Sequence, residues 1–207
     1  MLTLSYRQTG DSGWIDLSQS ASIVNRRFYR QGLNWAIAGI TIQDRSTTPV
    51  SGSNNSIRTE ILPTNWCVSN AWEKSMRLWL KQQNDALRES GQESIAAKFR
   101  DFKIFMDTAH YDDFAANGYD LNATNLIPRN AVGDFATGEW QPSQIVIPNS
   151  DTDASGSEVD PTEHYLHMVG SVGVGTGSPG SAGMLAGYAF SRSVPQSPDP
   201  TVDPLRS

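Results

Sequence analysis

Asn65 to Glu89 reads NWCVSNAWEKSMRLWLKQQNDALRE, and it is here that the period of the sequence changes. Val68, Trp72, Met76 and Trp79 recur in steps of three and four, continued more weakly by Gln83 and Leu87. That spacing is the apolar stripe of an amphipathic helix. Gly91 stands where a left-handed C-terminal cap belongs. Asp85 and Arg88, at i and i+3, are placed to pair on the wet face. A short second helix is expected in ESIAAKF, Glu93 to Phe99, so the helical stretch covers about residues 65–99.

Toward the N-terminus the period is two. Leu2, Leu4 and Tyr6 alternate with Thr3 and Ser5, and residues 1–63 read as strands. NWAIAGITIQ, Asn34 to Gln43, sets Trp35 and Ile37 on one side and Ile40 and Ile42 on the other, which suits a strand covered on both faces. Asp44 to Ser56 is a polar loop of turn formers, and Ser56 to Leu62 alternates again before Pro63. Toward the C-terminus, DFKIFMD (Asp101 to Asp107), SQIVIPN (Ser143 to Asn149) and EHYLHMVG (Glu163 to Gly170) read as strands. The polar-aromatic run from Thr108 to Gly138 reads as a long connection, and such loops are usually functional or interfacial. MLAGYAFSR, from Met184, is expected as a short helix. There is no internal repeat. Strands interrupted by long loops, with one long helix inserted, favour a β-sandwich with helical excursions over a βαβ sheet.

Composition narrows the function. The chain has 207 residues, 38% hydrophobic, enough for one sizeable core. No run approaches the roughly 20 apolar residues that cross a bilayer. The opening MLTLSYRQTG lacks the charged and apolar regions of a secretory signal. Cys67 is the single cysteine, so neither an internal disulfide nor a cysteine-held zinc is expected. The formal net charge is -6 and the basic residues are scattered, so weak or no direct nucleic-acid binding is expected, one local patch excepted. The Pro- and Ser-rich residues 193–207 read as a tail or linker.

Several motifs resemble sites but lack the residues that would complete them. Gly175, Gly177 and Gly180 match a dinucleotide loop, yet no strand with an acidic residue follows. Asp151, Asp153 and Ser155 resemble half of a calcium loop whose twelfth position is Thr162 rather than glutamate. His164 and His167, three apart on a strand, fall on opposite faces and read as half-exposed strand histidines. His110 beside Asp112 and Asp113 sits in a loop with nothing to fix its geometry. Cys67 near a helix start reads as a small buried hydrophobe. No catalytic residue, cofactor or metal is assigned.

Two features remain. Arg26, Arg27 and Arg30 surround Phe28 and Tyr29, a pattern used both for nucleic acid and for protein contacts. If the segment is extended, Arg26, Phe28 and Arg30 share one face. The chain also carries six tryptophans, a residue enriched with arginine at interface hot spots.

The ordered set IDLSQSASIVNRRFYRQG, LPTNWCVSNAWEKSMRLWLKQQNDAL, KFRDFKIFMD, GEWQPSQIVIPN and SAGMLAGYAFSR resembles the capsid proteins encoded by uncultured marine and freshwater small DNA viruses. The likeness runs from about Trp14 to Arg192. It implies a mainly β fold: a jelly-roll antiparallel β-sandwich over residues 1–192 with the long helix and short helices inserted, or the first half of a double jelly-roll in a longer chain. It implies a non-enzymatic virion protein that assembles with copies of itself, and with other virion proteins, into an icosahedral shell. The subunit-interface candidates are then Arg26, Arg27, Phe28, Tyr29, Arg30, Trp72, Trp79 and Trp140. The arginines would pair with carboxylates of the neighbouring subunit or of the jelly-roll end, or face a genome. The alternative is a β-sandwich module that binds glycan or protein through loops such as EWQPSQ and HYDDFAANGYD.

Overall fold

An eight-residue strand with both faces covered organises the molecule. The computed structural model describes residues 2–10, 12–43, 57–91, 100–136, 140–147, 162–170 and 180–193. In chain order these hold α1 (Leu17–Asn25), α2 (Trp66–Glu89), β1 (Phe105–Asp107), α3 (Thr108–Ala116), α4 (Leu121–Thr124), β2 (Gln144–Ile147), β3 (Thr162–Val169), β4 (Gly180–Gly183) and α5 (Met184–Ser193).

β3 pairs antiparallel with β2, Ile145 opposite His164, and parallel with both β1, Phe105 opposite His167, and β4, Leu166 opposite Ala182. β4 spans His164 to His167 and so overlaps both other partners, which places β1 and β2 end to end on the opposite edge of β3. Alternation along β3 then sorts the core. Leu166 and Met168 join Ala71 and Trp79 of α2, Phe102, Ile145 and Met184. On the other face Phe105, Phe114, Leu121 and Trp140 pack with Tyr111 and Tyr165. The layers are α2 and α5, the sheet, and α3.

The expected mainly β jelly-roll sandwich is therefore overturned: the described residues mix helix and strand, with one small four-stranded mixed sheet among them. Two causes are visible. Four helices of nine residues or more lie among the described residues, two of them in stretches read as strand and loop. The alternating apolar runs at 33–43 and 57–62 join no strand of the sheet.

α2 forms as its stripe requires. Asn65 caps it by accepting from the Val68 N–H at 2.9 Å, Gly91 takes φ +69 beyond Ser90, and Arg88 pairs with Asp85 at 3.1 Å. α1 and α3 start on aspartates: Asp16 accepts from the N–H groups of Ser18 and Gln19, and Asp107 from that of His110. β2, β3 and α5 fall where the sequence placed them, whereas DFKIFMD contributes three strand residues. At the outer edge, side-chain amides stand in for a neighbouring strand. Gln82 bonds both the N–H and the C=O of Val146 (3.0 and 2.8 Å), and Gln31 does the same to Ile104 (2.8 and 3.3 Å).

His164 and His167 do lie on a strand, but they are buried rather than half-exposed, at 2% and 1%. His167 Nδ1 is 3.1 Å from Ser181 Oγ and Nε2 is 3.4 Å from Thr108 Oγ1. The helix expected at 93–99, the calcium-like run at 151–156 and the tail from 194 lie outside the described residues. So does the glycine run, except Gly180, which opens β4.

Candidate assembly surface

The surface is anchored on a buried polar hub under α1. Besides capping the helix, Asp16 accepts from Gln31 Nε2 at 2.7 Å and Trp140 Nε1 at 3.1 Å. Gln19, 2% exposed, accepts from Asn125 Nδ2 at 2.9 Å, and Asn125 Oδ1 lies 2.8 Å from His110 Nε2. His110 Nδ1 accepts the Met106 N–H at 3.2 Å, so Nε2 carries the proton and donates to Asn125. Trp14 stacks on the imidazole at 4.7 Å. Burial holds the His110 pKa below its ordinary value, against the pull of Asn125, Asp107, Asp16 and Asp113.

Beside the hub, Lys103 Nζ lies 2.6 Å from Asp101 Oδ2 and 4.6 Å from the Trp140 ring centre. The contact is one of distance rather than hydrogen-bond alignment, for neither Asp101 oxygen has an aligned donor. Burial raises the Asp101 carboxyl pKa, and Lys103 offsets part of that rise.

The arginine segment leaves this hub in a turn rather than a strand. Arg26 ends α1 in the left-handed conformation, φ 49, and the Arg27 N–H bonds the Ser22 carbonyl at 3.2 Å. The Tyr29 N–H bonds Ser22 Oγ at 2.8 Å, and the Arg30 carbonyl accepts from Ser18 Oγ at 3.1 Å. Arg27 lies 5.9 Å from the Tyr29 ring centre, and Phe28 packs against Trp140 at 6.2 Å. Arg27 and Tyr29 thus meet within the subunit. None of Arg26, Arg27 and Arg30 has a carboxylate at ion-pair distance among the described residues. All three are exposed.

The tryptophans divide. Trp79 and Trp140 are buried, at 8% and 3%, and serve the core. Trp72 is half-buried, edge-on to Phe102 at 5.7 Å, with its ring against Gly32. Sequence reasoning left two exposed tryptophans off the candidate set. Trp66, 58% exposed, lies 4.8 Å from the Arg192 guanidinium. Trp35 packs edge-on to Tyr29 at 5.7 Å and donates from Nε1 to Ser18 Oγ at 3.1 Å.

Trp35 opens a run of exposed apolar side chains. Leu33, Trp35, Ile37, Ile40 and Ile42 are 39–59% exposed, and Ile57 and Ile61 are 62% and 69%. Apart from the Trp35 indole, residues 33–43 make no hydrogen bond among the described residues. The signal for this surface was the two-faced apolar pattern, which names a need for cover without naming its source.

Of the aromatics in the segments considered for glycan binding, Trp140 and Phe114 are buried and Tyr119 is exposed. Among the described residues no group of three or more His, Cys, Asp or Glu is placed to hold a metal ion, and no helix is long and apolar enough to cross a membrane. Compared with known proteins, the chain matches no family model, no curated protein and no solved structure.

Proposed function

We propose that the chain is a structural subunit that self-assembles into a virus capsid shell, with residues 33–43 as the arm that enters a neighbouring copy. The observation that carries this reading is an uncharged segment, apolar on both faces, left half-exposed by its own fold. Monomers scatter single apolar residues over their surfaces, but a contiguous set marks a contact. Completing the burial of five such side chains is worth about 1 kcal/mol each. In a closed shell that gain recurs at every equivalent contact. The resemblance of the ordered motifs to small-virus capsid proteins supports the viral setting; the jelly-roll fold it implied forms no part of the proposal.

Light scattering and negative-stain imaging of the purified chain across salt concentrations test it. Closed particles or discrete rings are expected, and I37D/I40D should abolish them while leaving the far-UV circular dichroism unchanged. Particles that persist in that variant exclude the arm as the contact. A wild-type monomer whose melting temperature rises with added glycan instead identifies a binding module.

A further inference from the structure

A cleft of about 450 Å³ opens between α2 and the segments flanking Gly32 and Phe102. Trp72, Met76, Trp79 and Phe102 give it aromatic and thioether walls, and Arg30 and Arg100 contribute cations to its lining. The Asp101 carboxylate also lines it and feels Arg30, but its near partner is Lys103 at 2.6 Å, so the cleft keeps a net positive charge. Neither has a carboxylate at ion-pair distance among the described residues; Arg100 donates only to the neutral Asn84 amide. In a chain of net charge -6, two guanidinium groups beside half-buried indole, neither in an ion pair among the described residues, are a local exception.

We propose that this cleft binds one nucleotide of a single-stranded nucleic acid, its base against Trp72 and Met76 and its phosphate on Arg30 and Arg100. The volume falls in the range of small-molecule sites, about 300–1,000 Å³. Aromatic faces with nearby arginine bind unpaired nucleotides with little sequence preference, because every base offers a π-face. An acidic peptide would satisfy the arginines and leave the aromatic walls unused. The arm of a neighbouring copy carries no charge to meet them. Gly32 keeps the site open: at φ +86, with a Cβ position 2.8 Å from Trp72 Cζ2, it lets the chain carrying Arg30 pass against the indole. The proposal does not depend on the assembly reading.

Fluorescence anisotropy of a labelled ten-residue oligo(dT), with the full-length protein, tests it in both wild type and I37D/I40D. The expected binding falls with salt at a log–log slope of about -0.7, since the one phosphate neutralised on a single strand contributes about that much. R30E/R100E should lose at least tenfold in affinity with an unchanged melting temperature, and Trp72→Leu should lose affinity without changing the salt slope. Arg88→Glu, on the wet face of α2, should change affinity less than twofold. Absence of binding overturns the proposal, as does an equal loss in Arg88→Glu, which would mean diffuse charge attraction. Displacement of the oligonucleotide by a peptide of residues 194–207 at lower concentration also overturns it, assigning the cleft to the chain's own tail. Because binding is read in the arm variant too, failure of assembly and failure of the cleft are separable.

Discussion

Two residues carry more of the structure than their types announce. Lys103 is the charge partner of a carboxylate buried with it; the side chains of Lys103 and Asp101 are 11% and 10% exposed. Removing one member of such a pair strands the other, so Lys103→Ala should destabilise the protein by about 3–5 kcal/mol in denaturant titration. Asp101→Asn with Lys103→Met, which removes both charges, should recover much of that loss. Gly32 is the second. A side chain there meets a left-handed backbone and the Trp72 ring together, so Gly32→Ala should cost more than the roughly 1–2 kcal/mol of the left-handed backbone alone. The melting temperature reads this, and near-UV circular dichroism reports Trp72. Neither role was legible in the sequence. DFKIFMD shows a lysine between apolar residues, which on a half-buried strand is ordinary.

At the scale of elements, α1 and α3 show why a hydrophobic pattern can miss a helix. α1 buries Ser18, Gln19, Ser20 and Ala21, while Ile23 and Val24 remain partly exposed. Its inward face is polar because it meets Asn125 and Asn122 across the hub. The usable signal was Asp16 as N-cap, and for α3 it was Asp107. α3 is also tied to β1 by a proton-sensitive bond. Neutral His110 accepts the Met106 N–H at Nδ1, and protonation there would set two N–H groups against each other. The folded pKa of His110 lies below the ordinary value near 6.5, so below that pH the unfolded chain binds more protons. His110 thus contributes stability above pH about 6.5 that is lost as pH falls through its folded pKa. Asp101, with a raised pKa, has the opposite sign: its contribution is present below the ordinary carboxylate value and lost as pH rises through the folded pKa. The His110 share is isolated by comparing melting temperatures of wild type and His110→Gln. The gap should narrow from pH 7 to pH 5, and a constant gap would remove His110 as an acid-sensitive latch.

For the molecule as a whole, the question is what covers residues 33–43. The sheet does not recruit them, because Gln31 and Gln82 already occupy backbone groups on its outer edge. If neighbouring subunits supply carboxylates to the arginine turn, Arg27→Glu should weaken assembly severalfold while the monomer melts normally. Sedimentation across concentration measures this. Intact particles in that variant would leave the arm as the contact and return the arginine turn to an intrasubunit role, already visible in Arg27 over Tyr29.

By itself the sequence determined α2 with its C-terminal glycine and its Asp85–Arg88 pair, the strands β2 and β3, and α5. In each, the local period or the flanking residues specify the conformation without reference to distant chain. It also showed an apolar need at 33–43. The tertiary structure decided the rest: that β3 is shared by three strands, that α1 faces inward with its polar side, that Trp79 and Trp140 are core while Trp35 and Trp66 are surface, and that two arginines far apart in sequence line one aromatic cleft. Alternation tells a strand that it must be covered on both faces. It says nothing of which partner does the covering, because strand pairing and burial are settled by contacts between residues remote in the chain.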